Sequence, residues 1–468
     1  MPPFAGPPLQ KTQFCHPKRE TPNIITLNVG GQIFQTSPQT LTLAGPNSLL
    51  CTLTTSSLGS IPFIDRDPDL FSILLTLLRT GTLPSRAKVL DPEDLIHEAQ
   101  FYNIEHLLIS AITDPSSFYP LNLQKTLILP INGRDSPSAI ATHQDGSVLV
   151  SHGSKITAFD WSLRRKTSFL TEFPAIDSLL FLSPSVAAAG ASDYSGVKIL
   201  DINSGLGIKT LNWDNPIYST VQAIGASPEF LFASFESCRK NSNLIQVFDR
   251  ESFRPLIDLG HEEKQGVEIG SAIPATKLNW VSSQALLMAS GSYSGPFGCV
   301  GSIKLWDIRS GSRVAEIKEN EDCFADVTVN DGIWGLFKVG LVSGEVYMMD
   351  LRRLGSSERW VSLGEGCSKV MNGNGKREGV NSKIVGHGNS VFCSRGENVE
   401  VWSEVLMGGK EKEGVFRKNV MGRREKVGQS KITQLDFGGN RMVLARKDEQ
   451  AIEVWQGSGT NFVNWGWN

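Results

Sequence analysis

The sequence predicts a multidomain protein, a small α/β domain followed by an all-β seven-bladed propeller. Two observations carry this reading. A five-residue strand pattern returns seven times between residues 156 and 456. Ahead of it, residues 23–112 place a hairpin before a series of short, well-capped helices. The length agrees, because 468 residues exceed one ordinary domain. So do the 45 glycines and the scarcity of helix-forming runs after residue 112, which favour strands and turns.

The repeat reads ITAFD from Ile156, VKILD from Val197, IQVFD from Ile245 and IKLWD from Ile303. It continues as VYMMD from Val346, VEVWS from Val399 and IEVWQ from Ile452. Starts are 41, 48, 58, 43, 53 and 53 residues apart, near or above the ~40–45 of four-stranded propeller blades. The first position is always Ile or Val and the third is apolar, so both lie on one face of a strand. The fourth is large and apolar, namely Phe159, Leu200, Phe248, Trp306, Met349, Trp402 and Trp455, and points to the other face. A strand apolar on both faces needs cover on both, which a blade between two blades receives. A short apolar strand precedes each motif, as in Val148–Val150, and a weaker one follows most, as in Val314–Ile317.

In the first module, IITLNVGGQIFQT alternates β-formers around Gly30-Gly31, a two-residue hairpin signal. Ser37-Pro38 reads as an N-cap with proline at the first helical position, and a short helix is expected around Leu49, Leu50 and Leu53. Asp67 caps a helix whose apolar face is Leu70, Phe71, Leu74, Leu77 and Leu78, and Gly81 ends it. Asp91-Pro92 opens another helix containing Leu95, Ile96 and Ala99.

These residues carry a resemblance. Asn28-Val29-Gly30-Gly31 with Phe34 and Thr36 is similar to the start of a BTB/POZ domain of the potassium-channel tetramerisation type. Phe63-Ile64-Asp65-Arg66-Asp67-Pro68, Phe71, Leu78-Arg79-Thr80-Gly81, Glu98-Ala99 and Phe101-Tyr102 follow in the family's order. His97 and His106 lack the cysteine companions of the zinc site found in channel members, and no membrane-spanning stretch is present. The resemblance is therefore to the non-channel members, many of which form oligomeric rings and bind cullin-3 as ubiquitin-ligase adaptors.

The second module resembles the WD-repeat family over about 350 residues. Trp306-Asp307 is its literal WD pair, and Asp160, Asp201, Asp249, Asp307 and Asp350 hold fifth place in the motif. The upstream Gly-His element is mostly missing, Gly260-His261 and Gly386-His387 being irregularly placed, so the buried Asp-His-Ser-Trp network of regular blades is expected to be incomplete. Either Leu121–Pro130 or Asn461–Trp467 supplies the strand that closes the ring. The expected layout is a disordered lead-in over 1–22, the first module over 23–112, a connector over 113–120 and the propeller over 121–468.

Little points to catalysis. GxSxG, HExxH and Walker motifs are absent, and Asn372–Lys376 has glycines and a lysine at the wrong spacing. The repeated Asp residues read as turn and strand-end hydrogen bonding. Seven scattered cysteines, never spaced CxxC, suggest reduced thiols and a cytoplasmic or nuclear protein without a metal site. A net charge of −3 gives no pull towards nucleic acid, and the proline-rich start is unlike a signal peptide. Lys410–Lys426 is a basic stretch read as a solvated outer strand and loop, and the C-terminal Phe462, Trp465 and Trp467 as a docked strand.

The architecture predicts a non-enzymatic adaptor with no cofactor. By resemblance, the first module would bind a cullin-3-type scaffold and self-associate, and the propeller would hold a substrate protein. Asp65, Arg66 and Asp67 are the candidates for pairing between subunits, a turn with a helix cap being the equal alternative. Leu58, Ile61, Phe63, Phe101 and Tyr102 are the candidate cullin contacts, as exposed apolar anchors. A non-degradative scaffold for a membrane or transcription partner is the competing reading. Chemistry in the propeller funnel is a third.

Overall fold

The computed structural model describes residues 24–54, 61–114, 118–213, 219–237, 242–263, 273–295, 298–320, 322–353, 360–364, 379–405, 415–421 and 430–457. Its contacts divide the chain into two compact units, 1–112 and 113–468.

In the first unit, β1 (Ile25–Val29) and β2 (Gln32–Thr36) form the expected hairpin, with Val29 opposite Gln32. The turn places Gly30 and Gly31 at φ +56° and +89°, which side chains disfavour. A Cβ on Gly30 would also stand 2.4 Å from the Arg66 carbonyl oxygen. Helices α1 (Pro38–Thr42) and α2 (Leu49–Thr52) follow, capped by Ser37 and Ser48. Strand β3 (Phe63–Ile64) then pairs in parallel with β1, which becomes the middle of three strands. Helix α3 (Pro68–Thr80) starts where Asp67 accepts from the Asp69 and Leu70 amides, and ends at Gly81 in the left-handed region. Helices α4 (Pro92–Phe101) and α5 (Glu105–Ile112) complete the unit. Leu27, Val29, Ile64, Phe71, Leu74 and Leu108 form its core.

The second unit contains seven four-stranded antiparallel blades. Six are continuous in sequence, over 139–170, 178–211, 219–263, 277–319, 324–362 and 384–421. A single backbone pair, Ser195 with Thr220, joins blades 2 and 3. Blade 7 takes three strands from 432–457 and its outer strand, β4 (Leu123–Pro130), from the start of the unit. Of the two closures open to the sequence, the described residues use the N-terminal one; 461–467 lie outside them. The innermost strand of each blade touches that of the next, and the seventh touches the first.

Each motif strand feeds two seams. Ile303 and Leu305 pack between blades 4 and 5, whereas Trp306 packs between blades 3 and 4. The same division places Phe159, Leu200, Phe248, Met349, Trp402 and Trp455 against the preceding blade. The fifth-position Asp residues organise the following turn. Asp201, Asp249 and Asp307 each accept from a backbone amide and from the hydroxyl of Ser204, Ser252 or Ser310. These hydrogen bonds hold their carboxyls below the usual range. The turns close through a left-handed residue, which is Gly205 or Gly311 in blades 2 and 4 but Leu163 and Phe253 in blades 1 and 3. Those two bulky residues accept the strain while packing their side chains into seams.

The seam between blades 7 and 1 has several fasteners. Arg441 is buried on blade 7 and donates to the Gly146 carbonyl at 3.1 Å and to the Trp161 carbonyl on blade 1. Gln434 Nε2 donates to the Ser138 carbonyl at 2.6 Å. Asp436 accepts from Thr142 N and Oγ1, both at 2.8 Å. Asp436 is half-buried as a residue, but its carboxyl is the enclosed end, and burial pushes its pKa up to about 6 against those bonds and the Lys277 charge.

Phe118, expected in the connector, is instead buried in the core between blades 6 and 7. Its ring meets His387 at 4.6 Å, Phe392 at 5.8 Å and Phe437 at 5.8 Å. Propeller packing thus begins before residue 121.

Two tests follow from closure. Leu129 of β4 is 4% exposed and Ile128 is 58% exposed. Leu129→Ala should cost the propeller about 2–5 kcal/mol in denaturant titrations, and Ile128→Ala under about 0.5 kcal/mol. For Asp436, a folded pKa raised above the ~3.9 of the unfolded chain means the fold binds the proton more tightly. Its contribution is present below about pH 4 and is lost as pH rises through about 6. Asp436→Asn should flatten that fall in the unfolding midpoint.

Candidate protein-interaction site

The first unit gathers its chemistry where β3 runs into α3 and α4 ends. Register places Ile33, Asn28 and Phe63 in one row across the sheet, on the face opposite the core residues Leu27 and Val29. Ile33 is 51% exposed and Phe63 62%, while the Asn28 Oδ1 between them is buried without a hydrogen-bond partner. Ile61 and Phe101 are also exposed.

Tyr102 differs from expectation. It is fully buried at the C-cap of α4, its ring 5.4 Å from Phe71, and so is not an exposed anchor. The spacing Leu95, Ala99, Tyr102 along α4 runs down one face and was the available signal. Phe101 falls on the other side. Leu58 lies outside the described residues.

The Asp65-Arg66-Asp67 corner divides its roles. Asp67 is the N-cap of α3, as one of the two readings held. The Arg66 guanidinium stacks 3.9 Å above the Phe101 ring and lies 3.8 Å from Glu98. Glu98 is buried, which pushes its carboxyl up in pKa while Arg66 pulls it down. The Tyr102 phenol beside it is pushed well up, by burial first and by the Glu98 charge second. Asp65 is exposed.

In the propeller, the motif side chains Phe159, Leu200, Phe248, Trp306, Met349, Trp402 and Trp455 are all buried and structural. The Trp306 and Trp402 indole N–H groups have no acceptor, so the Asp-His-Ser-Trp network is not assembled at either. His387 stacks on Phe437 at 4.9 Å. Among the described residues, no cluster of three His, Cys, Asp or Glu is placed to hold a metal ion. Among them also, Cys51, Cys299, Cys323 and Cys393 are free thiols. No helix among the described residues is long and apolar enough to cross a membrane.

With this geometry in place, family comparison decides the class. Residues 25–112 match the BTB/POZ domain model, and residues 132–457 match the model of the At2g24240-like C-terminal β-propeller. The chain belongs to the BTB/POZ proteins with an At2g24240-like propeller. The BTB/POZ domain-containing protein At5g41330 of Arabidopsis thaliana is 52% identical over 446 residues, covering 93% of this chain and 96% of the relative. At4g30940 of the same plant is 27% identical over 92% of this chain and 97% of its own. SH3KBP1-binding protein 1 of Mus musculus is 40% identical over 99 residues, 20% of this chain and 14% of its own. BTB and propeller families are typically interaction modules rather than enzymes, and an adaptor-like or scaffold role is consistent with the pairing of the two here.

The Arg66–Glu98 contact makes its own prediction. Arg66→Met keeps the stem on Phe101 but strands the buried carboxylate. Because the Arg66 side chain is 36% exposed, the loss should be on the order of 1 kcal/mol rather than that of a fully buried pair. Adding Glu98→Gln should recover most of it, as read by a double-mutant cycle on the BTB unfolding transition.

Proposed function

We propose that the chain is a substrate adaptor of a cullin-3-type ubiquitin ligase, self-associating through its BTB domain and recruiting a substrate protein on the propeller. The observation that supports it most is the pairing, in one chain, of a BTB domain bearing exposed apolar anchors with a closed propeller. Ile61, Phe63 and Phe101 are 55%, 62% and 41% exposed. Aromatic side chains such as Phe63 and Phe101 are enriched at protein contacts. Self-association would let several weak propeller contacts add through avidity. Asp65 and the outer face of Arg66 are the charged groups left at the corner for contacts between subunits.

The alternative is a non-degradative scaffold. It is favoured by the mouse relative, whose name records binding to SH3KBP1 rather than any ligase. Partner turnover separates the two.

Phe63→Asp should abolish co-purification with cullin-3 while light scattering shows the oligomer unchanged. Partners of the propeller should then accumulate in cells carrying that variant. Wild-type oligomer that captures no cullin-3, with partner levels indifferent to its removal, would leave the scaffold reading in place.

A further inference from the structure

We infer that Ser168, on the outer strand of blade 1, is the acceptor for an arginine-directed protein kinase, and that its phosphate is received by Lys155 and Lys166. The inference is independent of the adaptor reading.

Arg164-Arg165-Lys166 is the one run of three consecutive Lys or Arg in the chain, and Ser168 is the second residue after it. A kinase that selects basic substrates does so through ion pairs to side chains a few residues ahead of the acceptor, a task that suits the fixed fork of Arg donors. Spacing alone is common, since Arg also stands three residues ahead of Ser242, Ser312 and Ser356. Ser242 is 1% exposed, Ser312 follows a lone Arg, and Ser356 lies outside the described residues.

The fold presents Ser168 to such an enzyme. Arg164, Arg165, Thr167 and Ser168 are exposed. Ser168 lies in Lys166–Leu170, the last strand of its four-stranded sheet, so among the described residues its outer edge carries no ladder. The segment is already extended and can be approached from that edge. Arg165 is held by its backbone, whose amide donates to Asp160 Oδ1 at 3.2 Å.

Alternation separates Ser168 from its neighbour. Thr167 lies opposite Ala158, on the face with Phe169 that turns to blade 2. Ser168 lies opposite Thr157, on the face with Phe159 that turns to blade 7. Lys166 shares this face two residues before Ser168, and Lys155, opposite Leu170, shares it two residues beyond. Ser168 Oγ is 2.9 Å from Thr157 Oγ1, which is 2.8 Å from Nε2 of the buried His152. Burial lowers the His152 pKa first; Lys155 and Lys166 lower it further and Asp135 raises it, so two positive charges and one negative charge act on this row.

A phosphate carries about −1.5 to −2 charge at pH 7 and several strong acceptor oxygens. On Ser168 it would take over the hydrogen bond to the Thr157 hydroxyl and lie between two ammonium groups that outnumber Asp135. Lys166 donates to neutral oxygens, the Pro130 carbonyl at 2.6 Å and Asn132 Oδ1 at 3.3 Å, so its charge is not spent on a carboxylate. Those oxygens belong to the segment between the closing strand and blade 1, which puts the phosphate beside the joint of the ring. In the transfer, Ser168 Oγ bonds to the γ-phosphorus of ATP and the bond from that phosphorus to the β,γ-bridging oxygen breaks. ADP leaves with the electron pair, and the hydroxyl proton passes to a carboxylate of the kinase.

The folded full chain, incubated with Mg·ATP and a calmodulin-dependent protein kinase, tests the acceptor. Peptide mass spectrometry should place phosphate on Ser168, and Arg165→Gln should slow its appearance about tenfold. No phosphate on Ser168, phosphate on Thr167 alone, or a rate indifferent to Arg165→Gln overturns the proposal. The same phosphopeptide is expected in chain isolated from cells with phosphatases inhibited, and its absence there also overturns it. Lys155→Gln tests the receiving site while leaving the basic run whole. It should lower the melting midpoint of the phosphorylated chain more than that of the unmodified chain; equal shifts overturn the lysine site.

Discussion

A sheet with apolar side chains on both faces has no face it can turn to water, and this governs the second unit. Ile303 and Leu305 need blade 5, while Trp306, next in the same strand, needs blade 3. No blade can therefore be the last one, and a row of such sheets is stable only when it returns on itself. Burial on both faces also sets what the polar second position of each motif must do. Glu453 in that position meets Arg446 at 3.0 Å and Lys125 of the closing strand at 3.6 Å, so even the hydrophilic member of the strand is committed locally.

Closure brings together residues far apart in sequence, and the joint is fastened differently from the rest. Strand β4 supplies backbone bonds, Arg441 reaches carbonyls of blade 1, and Asp436 holds Thr142. Phe118 adds an aromatic anchor just ahead of β4. The first and last strands form late if folding follows chain order, since loop closure must precede their contacts. Strong local fixings at that joint offset the entropy of joining chain ends.

What could be read in advance follows from how local each interaction is. The seven fourth-position side chains were legible because strand alternation alone assigns them a face. The Asp turns were legible because carboxylate, hydroxyl and amide lie within five residues, as in Asp249 and Ser252. Phe118 and Arg441 were not, because their partners are some 270 to 320 positions away. The first unit shows the same division. Asp67 as a cap was readable from its own neighbours, whereas the Arg66–Glu98 contact spans two elements. Tyr102 departs from expectation for another reason: adjacency to Phe101 suggests a pair, although neighbours on a helix point apart.

That division bears on how the BTB domain meets other molecules. A charge consumed inside a domain brings little to a contact outside it. Asp67 is fixed to the first turn of α3, and Arg66 is held between Glu98 and Phe101. Pulling Arg66 away would leave Glu98 buried with a single sign of charge, so the corner resists rearrangement on association. Its rigidity is useful in a different way. The guanidinium pins the Phe101 ring in one orientation while leaving it 41% exposed. An aromatic anchor fixed before contact loses less side-chain entropy on binding than a free one. In the proposed contact the corner would therefore act mainly through the ring that it positions, with Asp65 as its exposed charge.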